Sequence, residues 1–343
     1  MTTGDSQPVR VRQIEPGDPV AFDAWFAVLQ VTDQERWPDK PGWQHAERLA
    51  MALDREGPHE HRCLSAEGGD GRVVGIADLK LHRRENGHVA EVSVDVLPHA
   101  RRNGVGTALV EAAEHMARNA GRSELVGMDQ VPTRPGHQDA GADFATRMGF
   151  SPVQRHVRRE LRVPLSANEA RVLADDPRAH PPGYSLLTFS GSWPDAFMED
   201  RCELGRRMST DVPMGEQDLD EEVWDEARVR HVEAALVAQN RARVTTAARH
   251  DASGRLVAFT EIAIPLGAPE AAWQHDTLVT REHRGRGLGF ATKVANLFAV
   301  TDAYPTVRTI STWNAAENEY MIAVNDAMGF EVVAHSSWWL KRI

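Results

Sequence analysis

The chain has 343 residues, of which 41% are hydrophobic and 26% charged, with a formal net charge of −11 and two cysteines, Cys63 and Cys202. Its length is about twice that of an ordinary domain, so two domains are expected, and the acidic balance argues against a nucleic-acid partner, whose phosphates require a basic surface. The opening residues lack a signal-peptide pattern, no apolar run is long enough to cross a membrane, and one cysteine per half leaves no disulfide framework or cysteine metal site, which predicts a cytoplasmic, membrane-free, metal-free protein, monomer or homodimer.

Residues 9–14 read as an opening strand, and Phe22, Trp25, Phe26 and Leu29 then recur at helical spacing. Residues 61–66 and 73–81 form a hairpin pattern about Gly68-Gly69-Asp70-Gly71. In the next strand Val92, Val94 and Val96 line one face, and Glu91, Ser93 and Asp95 the other. A glycine-bearing loop follows and opens a helix with the stripe Leu109, Ala112, Ala113, Met116 and Ala120, closed by Gly121. Another strand (125–128), another helix and Met148-Gly149-Phe150 lead to a last strand over 155–165.

Residues 166–183 carry Asp175-Asp176-Pro177 and Pro181-Pro182-Gly183 and read as a linker. The pattern then restarts. A strand over 184–189 precedes a helical stretch, a hairpin (243–248 and 256–264), a glycine-bearing loop and a helix with Leu288, Ala291, Ala295 and Phe298 on one face. A strand over 307–312 and Met328-Gly329-Phe330 follow. Arg101-x-x-Gly104-x-Gly106 returns as Arg284-x-x-Gly287-x-Gly289, and the Met-Gly-Phe triplet returns in the same order. Landmarks recurring in register at a whole-domain period mean duplication. The expected architecture is a mixed α/β sheet built twice: residues 1–165, a linker at 166–183, and residues 184–343.

Arg-x-x-Gly-x-Gly between a strand and a helix suits an anion. Glycine takes positive φ and lets the backbone approach closely, and successive N–H groups at a helix N-terminus favour a pyrophosphate. A dinucleotide loop would need a third glycine or an alanine where Leu109 and Thr292 stand, and no Gly-Lys-Ser/Thr follows either loop.

These loops, the valine-bearing strand before them and the late Gly-Phe resemble the GNAT (GCN5-related) N-acetyltransferases over nearly the whole chain, twice. The second copy is further similar to actinobacterial two-domain GNATs through residues 208–213, 283–289, 312–318 and 324–330. The resemblance implies acetyl-CoA as cofactor and transfer of its acetyl group to a primary amine of a small molecule. It implies that the backbone of Arg284, Gly285, Arg286, Gly287, Leu288, Gly289 and Phe290 cradles the pyrophosphate, and that pantetheine lies along Leu278 and Val279, where the strand is splayed. Asn314 and Asn318 would reach its arm. In the first copy the same places are Val94, Asp95, Val96, Arg101, Arg102, Asn103, Gly104, Val105, Gly106 and Thr107. The amide of Thr277 would face the thioester oxygen.

Deprotonating an amine calls for a nearby carboxylate or a water chain. Asp276 is the first candidate, with Asp211 and Glu261 next; in the first copy the candidates are Glu91 and Asp95. The tyrosine that many GNATs place four residues before the late glycine is absent: Ala145 and Asn325 stand there, and Tyr320 lies on another face. The second copy, with its asparagine after the penultimate strand, is the expected catalytic one; the first has Asp129-Gln130-Val131-Pro132-Thr133 in that place.

The acidic run 216–226 reads as a lip for a cationic acceptor or as a solvated helix start. Trp224, Trp273, Trp313, Trp338 and Trp339 are pocket-lining or core, and Lys293 is a phosphate contact or a solvent-facing helix residue. A non-catalytic CoA-binding regulator and a protein-lysine acetyltransferase are the competing functions.

Overall fold

The computed structural model describes residues 9–134, 140–211 and 219–343. The chain runs β1 (Arg10–Gln13), α1 (Pro19–Arg36), α2 (His45–Leu53), β2 (His59–Glu67), β3 (Val73–His82), β4 (Val89–Val96), α3 (Val105–Asn119), β5 (Glu124–Met128), β6 (Val131–Pro132), α4 (Ala140–Arg147) and β7 (Ser151–Arg162). It continues through α5 (Ala167–Asp175), β8 (Tyr184–Ser190), α6 (Met198–Asp211), α7 (Glu226–Ala238), β9 (Arg241–His250), β10 (Leu256–Pro265), β11 (Ala271–Val279), α8 (Leu288–Ala303), β12 (Thr309–Ala315), α9 (Glu319–Ala327) and β13 (Glu331–Arg342).

Two compact units result. In the first, β1 to β4 pair antiparallel in sequence order and β4 pairs parallel with β5. Leu109, Val110, Ala113 and Ala117 of α3 bury against Leu64, Ala77, Leu79 and Leu81 on one face. On the other, Phe22, Trp25, Phe26 and Leu29 of α1 bury against Cys63 and Ile76. Asp18 caps α1 by accepting from the amides of Val20 and Ala21, with Pro19 as a pre-shaped first helical residue.

In the second unit β8 to β11 pair antiparallel in order, and β11 pairs parallel with β12. Phe290, Val294, Leu297 and Val300 of α8 cover one face, against Ile262, Ala272 and Ile310. Leu204 of α6, Val229 of α7 and Trp193 cover the other, against Ala247, Phe259 and Leu278.

The units divide differently from the boundaries read in sequence. Residues 154–335 belong to the second unit with 133 and 134, and residues 336–343 to the first. Strand β7 pairs antiparallel with β12, from Thr309↔Arg162 to Ala315↔His156, and the end of β13 pairs with β5, from Trp338↔Met128 to Arg342↔Glu124. Each unit therefore takes its outer strand from the other half of the sequence. Alternation marks a segment as a strand but carries no information about which edge it joins. Residues 166–183, read as a linker, include helix α5, whose Ser166–Glu169 capping box satisfies two amides reciprocally and whose Leu173 is buried.

Candidate active site

The two glycine-bearing loops share one backbone trace. Arg102 and Gly104 take φ of 65° and 81°, and Gly285 and Gly287 take 74° and 79°. In each loop Gly104 or Gly287 is the left-handed residue from which α3 or α8 starts. The first-turn amides of these helices have no intrahelical acceptor and converge on the loop. Side chains are excluded for steric reasons as well: a Cβ at Gly106 would come within 3.2 Å of the Phe144 ring, and one at Gly287 within 3.2 Å of the Arg178 carbonyl oxygen. At Gly285 nothing lies within 4 Å of that position.

The loop arginines act inward. Arg101 Nε donates to the Val96 carbonyl at 3.0 Å and Arg284 Nε to the Val279 carbonyl at 3.1 Å, each stapling its loop to the end of the preceding strand. Glu35 holds the Arg101 guanidinium. Asp211 does the same in the second unit, with its side chain 1% exposed, 2.8 Å from Arg281 Nε and 3.3 Å from Arg284 Nη2. Asp211, a candidate base in the sequence, is thus an anchor for two loop arginines.

Beside each loop the parallel pairing stops early. Strand β4 pairs with β5 only from Val89 to Glu91, and β11 pairs with β12 only from Ala271 to Trp273. Beyond those points, Val94 and Val96 in one unit and Leu278 and Val279 in the other lie on strand edges left open on that side.

The units differ on the other edge of the same strand. The β3–β4 register runs unbroken from Leu81↔Ala90 to Gly75↔Val96. The β10–β11 register jumps from Thr260↔Thr277 to Ile262↔Gln274, so Glu261 alone stands opposite both His275 and Asp276. This is a β-bulge. Before it Ala272 faces α8, and after it Leu278 faces α6 and α7. Thr277 turns its hydroxyl to Thr260, 2.7 Å away; both bulge residues lie within reach of the Glu261 charge, His275 with Arg241 and Arg243 and Asp276 with Arg201.

Asp276 is exposed on the strand, with Glu261, Glu222 and Arg201 near enough to act on its charge. Desolvation and the nearby charges of Glu261 and Glu222 push its pKa up to about 6 against the opposing pull of Arg201. His275 is driven the other way, down to about 4, by desolvation and by Arg241. Glu261 is 6% exposed and accepts from Trp193 Nε1 at 3.0 Å and Thr245 Oγ1 at 3.2 Å, with Arg243 Nη1 at 3.5 Å. Burial opposes its ionisation, but Arg243 and Arg201 outweigh burial and hold its pKa below the usual range. Glu261, the other candidate base, is a fixed negative charge.

In the first unit Glu91 pairs with Lys80 at 2.7 Å and His82 at 3.0 Å. Burial works against its charge, yet these partners lower its pKa to about 2. Asp95 is bound to Arg36 at 3.0 Å.

Two recesses of the second unit share Arg206 and Glu221. One, about 330 Å³, reaches Asp211 and Arg281 beside the loop. The other, about 580 Å³, is lined by Glu199, Glu203, Glu222 and Trp224. Glu222 both lines the larger recess and acts on Asp276. Glu216 and Asp218 of the acidic run lie outside the described residues.

Trp224 stacks under the guanidinium of Arg201 at 4.3 Å. Trp273 and Trp313 stack on each other at 4.9 Å, with Arg158 over both. Trp339 is in the first unit's core, donating to Asp129, and Trp338 pairs beside it on β13. The Asn318 side chain accepts from the Met321 amide and caps α9. Lys293, read as a phosphate contact or a solvent-facing residue, is 1% exposed and points into the core, because the apolar face of α8 is wider than a stripe.

A model of the acetyltransferase (GNAT) family matches residues 22–150. The aminoglycoside N(6')-acetyltransferase type 1 of Klebsiella aerogenes is 35% identical over 132 residues in the N-terminal part, 37% of this chain and 82% of that protein. The chain belongs to the GNAT family. A solved tandem GNAT protein from the clavulanic acid biosynthesis pathway is 30% identical, covers 98% of both chains and superposes with a TM-score of 0.80, so the GNAT fold is present twice, in tandem. A GCN5-related N-acetyltransferase from Sphaerobacter thermophilus shares the fold at 18% identity and a TM-score of 0.68, over 97% of this chain and 95% of that one. No helix of this GNAT chain among the described residues is long and apolar enough to cross a membrane.

Proposed function

We propose that the second unit holds acetyl-CoA along the open edge of β11 and transfers its acetyl group to a primary amine of a small cationic molecule, with Asp276 taking the proton. One observation carries this reading: the bulge sets the exposed Asp276 carboxylate opposite Glu261 and beside the open strand edge, where its surroundings raise its pKa to about 6. Its ionised form predominates at neutral pH, and its basicity exceeds that of an ordinary aspartate.

The loop fits the coenzyme. Amides from Arg284 to Phe290 would cradle the diphosphate where Gly285 leaves open space. Bound acetyl-CoA supplies the activated thioester. The Thr277 amide would donate to the developing oxyanion, since the Thr277 hydroxyl is already committed to Thr260. Glu199, Glu203, Glu221 and Glu222 give the recess its acceptors for a cationic amine, which would compete with the arginines already paired to them, among them Arg206 and Arg255 of the same wall. A protonated amine held beside Glu222 would lose one proton to Asp276; the neutral amine would then attack the thioester carbon, the C–S bond would break, and the second N–H proton would pass through solvent to the departing CoA thiolate.

A second reading rests on the 35% identity of the N-terminal part to an aminoglycoside acetyltransferase. It places amino-sugar amines first among the acceptors to screen and keeps the first loop as a rival site. Free-thiol release from acetyl-CoA with a panel of amines, aminoglycosides included, tests both. Wild type and Gly104→Glu should turn over; Gly287→Glu and Asp276→Asn should not. Activity that survives Gly287→Glu and is lost in Gly104→Glu would move the reaction to the first unit.

A further inference from the structure

Lys293 is the sixth residue after Gly287 and lies in the core of the second unit among Phe290, Val294 and Met328. Its Nζ donates to Asn325 Oδ1 at 2.8 Å and sits 5.0 Å from the centre of the Phe330 ring. Asn325 is fully buried, and its Nδ2 donates to Asn314 Oδ1. Asn314 stands on β12 three residues past Ser311, the last to pair with β11, so it borders the open edge.

The same two places in the first unit are apolar. Val110 is the sixth residue after Gly104, and Ala145 is the fourth before Gly149, as Asn325 is before Gly329. Val110 is 2% exposed and packs without difficulty. The fold therefore has no need of a cation or an amide there, and burying an ammonium opposes folding. Burial alone brings the Lys293 pKa down to about 7.

With Lys293 protonated, the order of donors is fixed. An ammonium only donates, so Asn325 must turn its carbonyl to Lys293 and its NH₂ away. Asn314 must then receive with its own carbonyl, which leaves its NH₂ as the uncommitted group. We infer that Lys293 and Asn325 are positioning residues that set the polarity of Asn314, so that it offers an N–H donor to a carbonyl of the pantetheine arm beside β11. The inference rests on the second unit being the one that holds acetyl-CoA.

The test uses the full chain with Gly104→Glu, so that only the second loop can load. Lys293→Val with Asn325→Ala installs the pair the first unit already carries. Calorimetry with acetyl-CoA should show affinity about tenfold weaker than in the parent, the loss expected for one hydrogen bond to a neutral acceptor. With a CoA analogue whose pantetheine carbonyls are replaced by methylenes, parent and double variant should bind equally. The thermal midpoint of the double variant at pH 6 should be no lower than the parent's, because a buried charge has been removed. Equal affinity for acetyl-CoA, a loss that persists with the methylene analogue, or a loss accompanied by a fallen thermal midpoint would each overturn the inference. If Gly287→Glu fails to weaken binding, the coenzyme is not in the second unit and the relay falls with that reading; if it abolishes binding while the double variant binds normally, only the relay falls.

Discussion

The two units carry the same loop and differ in the carboxylates and amides around it. In the first, Glu91 is neutralised by Lys80 and His82, Asp95 by Arg36, and Asp129 is committed to Trp339 and the Ser337 amide. In the second, the bulge brings out Asp276, on which two like charges act, and a Lys293–Asn325–Asn314 chain takes the place of an apolar pair. Duplication preserved the backbone cradle, which depends on two left-handed residues and a stapling arginine. The acid–base chemistry resides in side chains the cradle does not specify. A carboxylate whose charge is fully paired is a poor base, whereas one crowded by like charge is a better one.

The comparison breaks most sharply at the loops. Gly287→Glu puts a side chain at φ 79°, against the Arg178 carbonyl, and adds a negative charge where a diphosphate would lie. Left-handed strain alone is of order 1–3 kcal/mol, so acetyl transfer should fall about a hundredfold or more in a thiol-release assay, while Gly104→Glu leaves it near wild type. The reverse outcome would exchange the roles of the units. Next in size is Asp276→Asn. Loss of a general base costs roughly 10²–10⁴ in kcat/KM. The wild-type profile should rise as pH rises through about 6, because the base acts only when ionised, and then level off. The variant should lack that limb. A limb that survives in Asp276→Asn belongs to another group, and Asp276 is then not the base.

Much of this site was legible in the sequence because it depends on backbone rules. Positive φ selects glycine at 104, 285 and 287, and a strand running into such a loop marks where the free amides of the next helix gather. The bulge was not legible. Ala272, Gln274 and Leu278 are buried and keep an even spacing across it, which hides the switch of face between Ala272 and Leu278. The exchange of β7 and β13 was hidden because strand pattern does not name a neighbour. Lys293 was misplaced because a lysine's type speaks for solvent, while its position on a helix buried on a wide face puts it among Phe290 and Val294. A signal was present: it stands in register with Val110, and aligning the two copies helix by helix would have placed a charge on an apolar face.

A smaller effect is expected from Glu222→Gln. Glu222 lines the larger recess and helps raise the pKa of Asp276. Its charge is partly offset by Arg228, 2.9 Å away, so removing it should move the acidic limb of the kcat/KM profile to lower pH by a fraction of a pH unit and raise KM for a cationic acceptor about twofold. An unmoved limb would separate the recess from Asp276.

The smallest effect decides a single residue. Resemblance assigns Asn318 to the coenzyme, but its side chain accepts from the Met321 amide and starts α9. A residue spent on a cap contributes to stability and little to binding. Asn318→Ala should cost about 1 kcal/mol, a fall of about 2–4 °C in Tm for a unit of this size, with KM for acetyl-CoA unchanged. Asn318→Asp keeps the capping oxygen and should restore Tm, whereas an amide that donated to the coenzyme would not be replaced by a carboxylate. A raised KM in both variants with an unaltered Tm would return Asn318 to the coenzyme site and leave α9 to be capped by something else.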